Sequence, residues 1–240
     1  MINIALAVAA LVITALVFTL LQVSWFISIP TGVIVGFLVL MILARRVQVK
    51  LETLMQAMQK EIQAGKIDRA IDILKQGYAL KNHQLFVEAQ INAQIGMLYY
   101  LKKDHDQALT YLNNGFSKHF IAQCMLAVIH YKRKNYDDMR KVMDLTVKRN
   151  KKESLVYGIY AYLLSQMKET DAAIAILQQG RDKLPKDDRI AANLTNLQNG
   201  KKMKMKVYGD MWLQFMLERP PRIQQEPPQH LRQRRKAMFR

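Results

Sequence analysis

Residues 160–185 read YAYLLSQMKETDAAIAILQQGRDKLP, and two related stretches lie upstream. The counterparts are AMQKEIQAGKIDRAIDILKQGYAL at 57–80 and IGMLYYLKKDHDQALTYLNNGF at 95–116. Each has an apolar segment with helical spacing, a short polar turn and a second segment with an Ala-apolar-x-x-Leu core. Self-similarity at a period near 34 residues predicts helix pairs that stack, because one pair cannot bury its apolar face alone.

The repeating unit resembles the tetratricopeptide repeat, a helix–turn–helix of about 34 residues. Within a repeat domain at 47–200, we predict units at about 51–84, 89–119, 120–153 and 154–187, with a capping helix at 187–199. Met58 and Met139 occupy positions where the family usually has a small residue. The positions that match the family pattern are Gly65, Ala70, Leu74, Gly96, Tyr99, Ala108, Leu112, Gly115, Ala127, Tyr136, Met143, Ala161, Ala173, Leu177, Gly180 and Pro185. The resemblance implies an all-α solenoid in which the first helix of each unit lines an inner groove.

Residues 1–44 contain no Asp, Glu, Lys, Arg or His, although the chain has a net charge of +17. One helix of this length would be about twice as long as a ~30 Å hydrocarbon core, so two spans fit better than one. We predict a transmembrane hairpin at 1–46, with spans at about 3–22 and 26–44 and a turn marked by Trp25 and Pro30. The alternatives are one long tilted span and a cleaved signal peptide, but no basic region precedes the apolar run.

Basic residues follow the second span at once, at Arg45, Arg46 and Lys50, whereas the turn between the spans has none. The positive-inside rule therefore predicts that both termini and the repeat domain lie in the cytoplasm. We expect the membrane to be a bacterial-type inner membrane. Small residues predicted to pack the two helices together are Ala5, Ala9, Gly32 and Gly36. A seam between two copies of the chain is the alternative use of these residues.

Beyond the span, apolar residues continue at helical spacing, at Val47, Leu51, Leu54, Met58 and Ile62. This pattern allows the second span to run without a break into the first repeat. A break near Arg46 is the alternative.

The first-helix positions of the aligned units form an apolar and aromatic set of partner-groove candidates. They are Met97, Tyr100, Leu101, Ile121, Cys124, Val128, Tyr131, Lys132, Leu155 and Tyr162. Some members of the tetratricopeptide family hold a C-terminal carboxylate with Lys, Asn and Arg at such positions, and this chain lacks that set. We therefore expect an apolar peptide or helix as partner, the alternative being that part of this surface belongs to the core.

The C-terminal region, 201–240, has 11 Lys and Arg against 3 Asp and Glu, which is +8 of the net charge. We interpret 201–218 as a basic, aromatic, amphipathic segment that docks on the solenoid, lies on the membrane or binds a partner. The tail 219–240 is predicted to be disordered. Candidates for contact with anionic lipid are Arg45, Arg46, Lys50, Lys201, Lys202, Lys204, Lys206, Trp212 and Phe215. Nucleic acid is not expected, because no recognised binding module is present.

Motifs for nucleotide binding, zinc proteases and Cys-x-x-Cys chemistry are absent from the sequence, so we predict no enzyme activity, catalytic residue, cofactor or metal. His119, Cys124 and His130 lie close in sequence, but their spacings do not place them on one helix face. The layout is similar to that of bacterial HemY-type proteins, without a local motif that links the chain to them specifically. We expect a membrane-anchored scaffold or adaptor that recruits partner proteins, with a structural accessory subunit of a membrane complex as the alternative.

Overall fold

The computed structural model describes residues 1–22 and 24–218, and within these residues all regular secondary structure is helical. The chain divides into two compact units, 1–204 and 205–240. In the first unit the helices are α1 (Ile2–Leu20), α2 (Trp25–Gln63), α3 (Ile67–Gln76), a 3-10 helix (Gly77–Leu80), α4 (Val87–Leu101), α5 (His105–Asn113), α6 (Phe120–Lys132), α7 (Tyr136–Arg149), α8 (Ser154–Gln166), α9 (Thr170–Lys183) and α10 (Asp188–Gln198). The prediction of an all-α solenoid behind two long apolar helices is confirmed.

Helices α1 and α2 form an antiparallel hairpin held by close backbone approach. A Cβ atom on Gly36 would lie 3.0 Å from the carbonyl oxygen of Ala7, and one on Gly32 would lie 3.0 Å from that of Leu11. The two glycines therefore allow the helices to touch, as small residues do in membrane helix pairs.

The packing prediction for Ala5 and Ala9 is wrong, since both side chains are exposed. The buried residues of α1 are Asn3 and Ala7. A shift of two residues turns a helix by about 200°, so the seam through Ala7 points Ala5 and Ala9 away from α2.

Helix α2 is unbroken for 39 residues, which corresponds to about 58 Å. The continuous helix predicted as one of two alternatives is thus the one observed, without a break at Arg46. The turn, however, lies between Leu20 and Trp25, and Pro30 sits inside α2. The predicted turn at Pro30 is therefore wrong, because a proline near the start of an apolar helix removes one backbone hydrogen bond without ending the helix.

The repeats are marked by the turn between the two helices of each pair. Gly65, Lys103, Lys134 and Lys168 each adopt a positive φ, between 62° and 74°. In the second pair Lys103 N donates to Tyr100 O at 2.9 Å and Asp104 N to Tyr99 O at 3.0 Å, and the same two bonds recur in the other pairs. This is the Schellman arrangement, which ends a helix with a left-handed residue. The left-handed residues of these four turns are 38, 31 and 34 residues apart, and the same arrangement at Gly200 ends α10.

The helices of each pair cross closely where the pattern has small residues. Ala70, Ala108, Ala127, Ala161 and Ala173 are fully buried. A Cβ atom on Gly96 would meet the Leu112 side chain at 2.7 Å, and one on Gly180 would meet the Tyr157 ring at 2.8 Å. The small residues are therefore needed for contact between neighbouring helices.

The second unit is described over residues 205–218 and contains a 3-10 helix, Met205–Tyr208, followed by a short α-helix, α11 (Asp210–Leu213). Gly209 separates them with a φ of +62°. The amphipathic segment predicted at 201–218 therefore contains two short helices on either side of Gly209 and no single long helix, since glycine allows this change of backbone direction.

Candidate membrane junction and partner groove

Helices α1 and α2 are long and apolar enough to cross a membrane. Only 11% of the most apolar window of α1 and 17% of that of α2 is buried. A core helix of a soluble protein hides most of such a surface, and an exposed apolar surface of this extent marks an interface with lipid or protein.

The hairpin is joined to the first repeat at two places. The N–H of Ile2 donates to Asn82 O at 2.8 Å, and the amino group of Met1 also donates to Asn82 O. On α2, Val47 is buried in the core cluster of the first repeats with Leu74 and Ile91. The junction between hairpin and solenoid is therefore a packed region, with no flexible linker.

A basic collar, which we define as Arg45, Arg46 and Lys50, surrounds the exit of α2 from its apolar segment. All three side chains are exposed, and they lie beside the exposed Ile42 and Val49 on the surface of α2. Guanidinium groups bind phosphate through paired hydrogen bonds, while the aliphatic residues suit acyl chains. The structure thus places the predicted lipid contacts of this part of the chain side by side.

A second concavity, the junction groove, lies between α2, the start of α4 and the segments that precede α4 and α6. Its volume is about 460 Å³. It is lined by Gln48, Leu51, Glu52, Met55, Gln84, Leu85, Val87, Gln90, Gln94, Phe116, Lys118 and His119. Four amide side chains next to apolar residues can bind a segment that is partly apolar and offers backbone hydrogen-bonding groups.

His119 links this groove to the start of α6. Its Nδ1 accepts the backbone N–H of Ala122 at 3.3 Å, and so caps the helix. Its Nε2 lies 3.4 Å from the amide of Gln94. Burial lowers the pKa of His119, because the charged imidazolium would lose hydration.

The predicted partner-groove residues divide into two groups. Met97, Ile121 and Tyr131 are half-buried, and Leu101 and Lys132 are exposed. Tyr100, Cys124, Val128, Leu155 and Tyr162 are buried. The five residues of the second group therefore belong to the core, and the prediction that they line a free groove is wrong.

Tyr100 illustrates the core role. Its ring lies beneath the ammonium group of Lys132, at 5.3 Å from the ring centroid, and burial raises the pKa of its hydroxyl. Gln90 and Gln94, which line the junction groove, were not among the predicted residues. Their signal is their spacing from Met97 and Leu101 on one face of α4.

Cys124 is completely buried, and this burial raises the pKa of its thiol. Among the described residues no three His, Cys, Asp or Glu side chains come together as a metal site would require. His130 Nδ1 is buried without a hydrogen-bond partner, and burial lowers its pKa.

In the second unit, Trp212 and Phe215 are buried, with 1% and 0% of their surface exposed. The indole N–H of Trp212 donates to Glu218 Oε2 at 3.2 Å. The prediction that these two rings contact lipid is therefore wrong. Lys201, Lys202, Lys204 and Lys206 are exposed, and the predicted disordered tail 219–240 lies outside the described residues.

Comparison with known proteins assigns no family. No family model and no curated protein matches the chain. The fold is similar to a structure described as "MamA RS-1 ArsTM double mutant", with 18% identity, a TM-score of 0.48, and coverage of 70% of this chain and 93% of that chain. Similarity at this level carries no functional argument. None of these three comparisons supports a specific relationship to HemY-type proteins.

Proposed function

We propose that the protein is a membrane-anchored scaffold in which the hairpin holds a tetratricopeptide-like solenoid at the cytoplasmic face of a bacterial-type inner membrane. The observation that carries the proposal is the continuity of α2, which runs from an exposed apolar segment into the buried core around Val47. An anchor that is part of the first repeat fixes the position of the solenoid at the membrane surface. The solenoid would then bind partner proteins there.

The orientation rests on the basic collar. Arg45, Arg46 and Lys50 lie directly beyond the apolar segment of α2 and are exposed. Basic residues at a span end are retained in the cytoplasm, and each contributes about 1 kcal/mol of attraction to an anionic leaflet. We propose that the collar binds the phosphate groups of anionic lipids.

The junction groove is the proposed partner site. It has apolar residues such as Leu51 and Met55 beside the amides of Gln90 and Gln94, so it suits a peptide segment from another protein. No catalytic role is proposed.

Site-specific photo-crosslinking in native membranes tests this function. A photoreactive amino acid replaces Gln90 in the groove of the full-length protein, and Lys141, exposed on α7, is the control position. We expect a discrete crosslinked protein from position 90 that is absent from position 141. Identical products from both positions, or none from position 90, would contradict a partner site in the groove.

The alternative function is that of a structural accessory subunit, and the exposed apolar surface of the hairpin favours it. Side chains such as Ile34 and Phe37 face outward and suit the helices of another membrane protein as well as lipid. Purification in mild detergent separates the two functions. Stoichiometric, salt-resistant co-purification of integral membrane proteins would indicate the subunit, whereas exchangeable soluble partners would indicate the scaffold.

A further inference from the structure

The direction of α2 identifies one edge of the solenoid. Helix α2 supplies the first helix of the first pair, and α4, α6 and α8 are the first helices of the next pairs. First helices of stacked repeats run in the same direction, so their N-terminal ends share one edge. This inter-repeat edge, which we define as residues 81–86, 114–119 and 150–153, is the edge at which α2 arrives from its apolar segment.

Direct contacts connect the parts of this edge nearest to the hairpin. Leu85 and Gln48 line the same groove. The rings of Phe86 and Phe116 lie 5.5 Å apart, and Phe116 N donates to Ala89 O at 2.8 Å. The first two inter-repeat segments therefore form one surface beside α2.

That surface exposes large apolar side chains. Leu85 is 44% exposed and Phe86 is 61% exposed. Phe86 also has a φ of +66°, a left-handed conformation that disfavours a side chain of this size. An exposed apolar patch marks an interaction surface, and a side chain kept in an unfavourable backbone conformation is typical of functional positions.

The position of the surface along α2 indicates what that environment is. Gln48 follows the last apolar residue of the span, Ala44, by four residues, or about 6 Å along the helix. The interfacial region of a bilayer extends roughly this far beyond the hydrocarbon, and aromatic residues are enriched there. Asn82, three residues before Leu85, accepts a hydrogen bond from Ile2 at the start of α1. This bond places the segment before α4 at the same end of the hairpin as Gln48.

The charges on this edge fit the headgroup region. Lys81 and Lys118 are exposed next to the apolar residues, and the basic collar lies on the same part of α2. Lysine side chains extend their ammonium groups toward phosphates while their stems lie on apolar surface. The opposite edge has the turns AGK at 64–66, KKD at 102–104, RKN at 133–135 and MKE at 167–169. Leu101 and Tyr136 beside these turns are 36% and 37% exposed, less than Leu85 and Phe86.

We propose that Leu85 and Phe86 insert into the interfacial layer of the bilayer beside the hairpin, and so form a second membrane contact that turns the inter-repeat edge toward the lipid. The proposal rests on the proposed membrane anchoring. With this contact the solenoid is fixed in tilt as well as in position, and the junction groove opens next to the membrane surface.

Depth-dependent fluorescence quenching tests this contact in the full-length protein in lipid nanodiscs. Single cysteines replace Phe86, Phe37 on the hairpin or Tyr136 on the opposite edge, and each is labelled with an environment-sensitive dye. Phe37 and Tyr136 are exposed, so each accepts a label. Cys124 is buried, and the unsubstituted protein measures its background labelling.

Lipids with a nitroxide close to the headgroup are added to one sample and lipids with a nitroxide on the acyl chain to another, because Phe37 lies about 12 Å deeper along α2 than Arg45. We expect loss of emission from the label at positions 86 and 37 and unchanged emission at position 136. Quenching at 37 without quenching at 86 would overturn the proposed contact and leave the anchoring intact. Absence of quenching at 37 would overturn the anchoring itself, and equal quenching at 86 and 136 would overturn the orientation.

Discussion

The backbone N–H of Ile2 donates a hydrogen bond to the carbonyl oxygen of Asn82, at 2.8 Å. This bond joins the start of the first apolar helix to the segment that precedes α4. The second apolar helix enters the same region through Val47, which is buried in the first-repeat core. Both helices of the hairpin are thus attached to the start of the solenoid, so the hairpin and the first repeat form one packed region.

The seam of the hairpin predicts different effects for two neighbouring alanines. Ala7→Val adds volume where α1 touches Gly36, and we expect a loss of about 1–3 kcal/mol in stability, the usual effect of overpacking. Ala5→Val is the matched control, because Ala5 is exposed on another face. Thermal unfolding of both variants in detergent measures the difference. Equal midpoints for the two variants would contradict the seam.

The left-handed turns predict that a lysine-to-glycine change raises stability. At Lys103 and Lys134 the positive φ disfavours a side chain, so Lys103→Gly and Lys134→Gly are each expected to stabilise the fold by about 1 kcal/mol. The same change at Lys141, inside α7, should destabilise by about 1 kcal/mol, since glycine is a poor helix former. Chemical unfolding of the three variants gives the sign of each change in the free energy of unfolding.

A loss of stability in Lys103→Gly and Lys134→Gly as large as that in Lys141→Gly would contradict the repeat alignment. The turns would then not have the left-handed backbone conformation that ends the first helix of each pair.

His119 predicts that the fold weakens as the pH falls. Its folded pKa is lowered by burial, so below an unfolded pKa near 6.5 the unfolded chain binds more protons and stability decreases. Protonation of Nδ1 also removes the acceptor that caps α6. Asparagine caps at every pH in this range, so His119→Asn should lose less stability than the wild type between pH 7 and pH 5.

The expected difference is at most about 1 kcal/mol, the typical contribution of an N-cap. Burial also lowers the pKa values of His105 and His130, so a part of the acid effect remains in the variant. Unfolding curves of the variant and the wild type at pH 7 and pH 5 measure the difference in stability loss. An identical loss in the variant and the wild type would show that His119 does not contribute to the pH dependence.

Much of the fold is predictable from residues whose chemistry is local. The small residues at Ala108, Ala173 and Gly180 carry the repeat signal, since each lies where two helices touch. The left-handed conformation of Gly65 follows from its residue type. That of Lys103 does not, because lysine gives no sign of a positive φ and only the alignment of the repeats reveals it.

The candidate site is less predictable for two physical reasons. Apolar residues on a first helix serve equally well in a groove or in a core, and the packing of neighbouring helices placed Tyr100 and Val128 in the core. Polar residues such as Gln90 carry no apolar periodicity, so only their spacing from Met97 and Leu101 along α4 could have identified them as part of a groove. Likewise, the sequence allows two faces of α1 to pack on α2, one with Ala5 and Ala9 and one with Ala7. In the structure Gly36 lies against Ala7, so Ala5 and Ala9 face away from α2.

The most direct test of membrane anchoring with a cytoplasmic solenoid is protease digestion of sealed bacterial inner-membrane vesicles that contain the full-length protein, with an alkali wash applied to a separate sample of the same membranes. We expect the protein to remain in the membrane pellet after the wash. In inside-out vesicles the protease should remove the repeat domain and leave a fragment the size of the hairpin, while right-side-out vesicles protect the chain. Release of the protein by the wash, or digestion of the repeat domain only in right-side-out vesicles, would contradict the account.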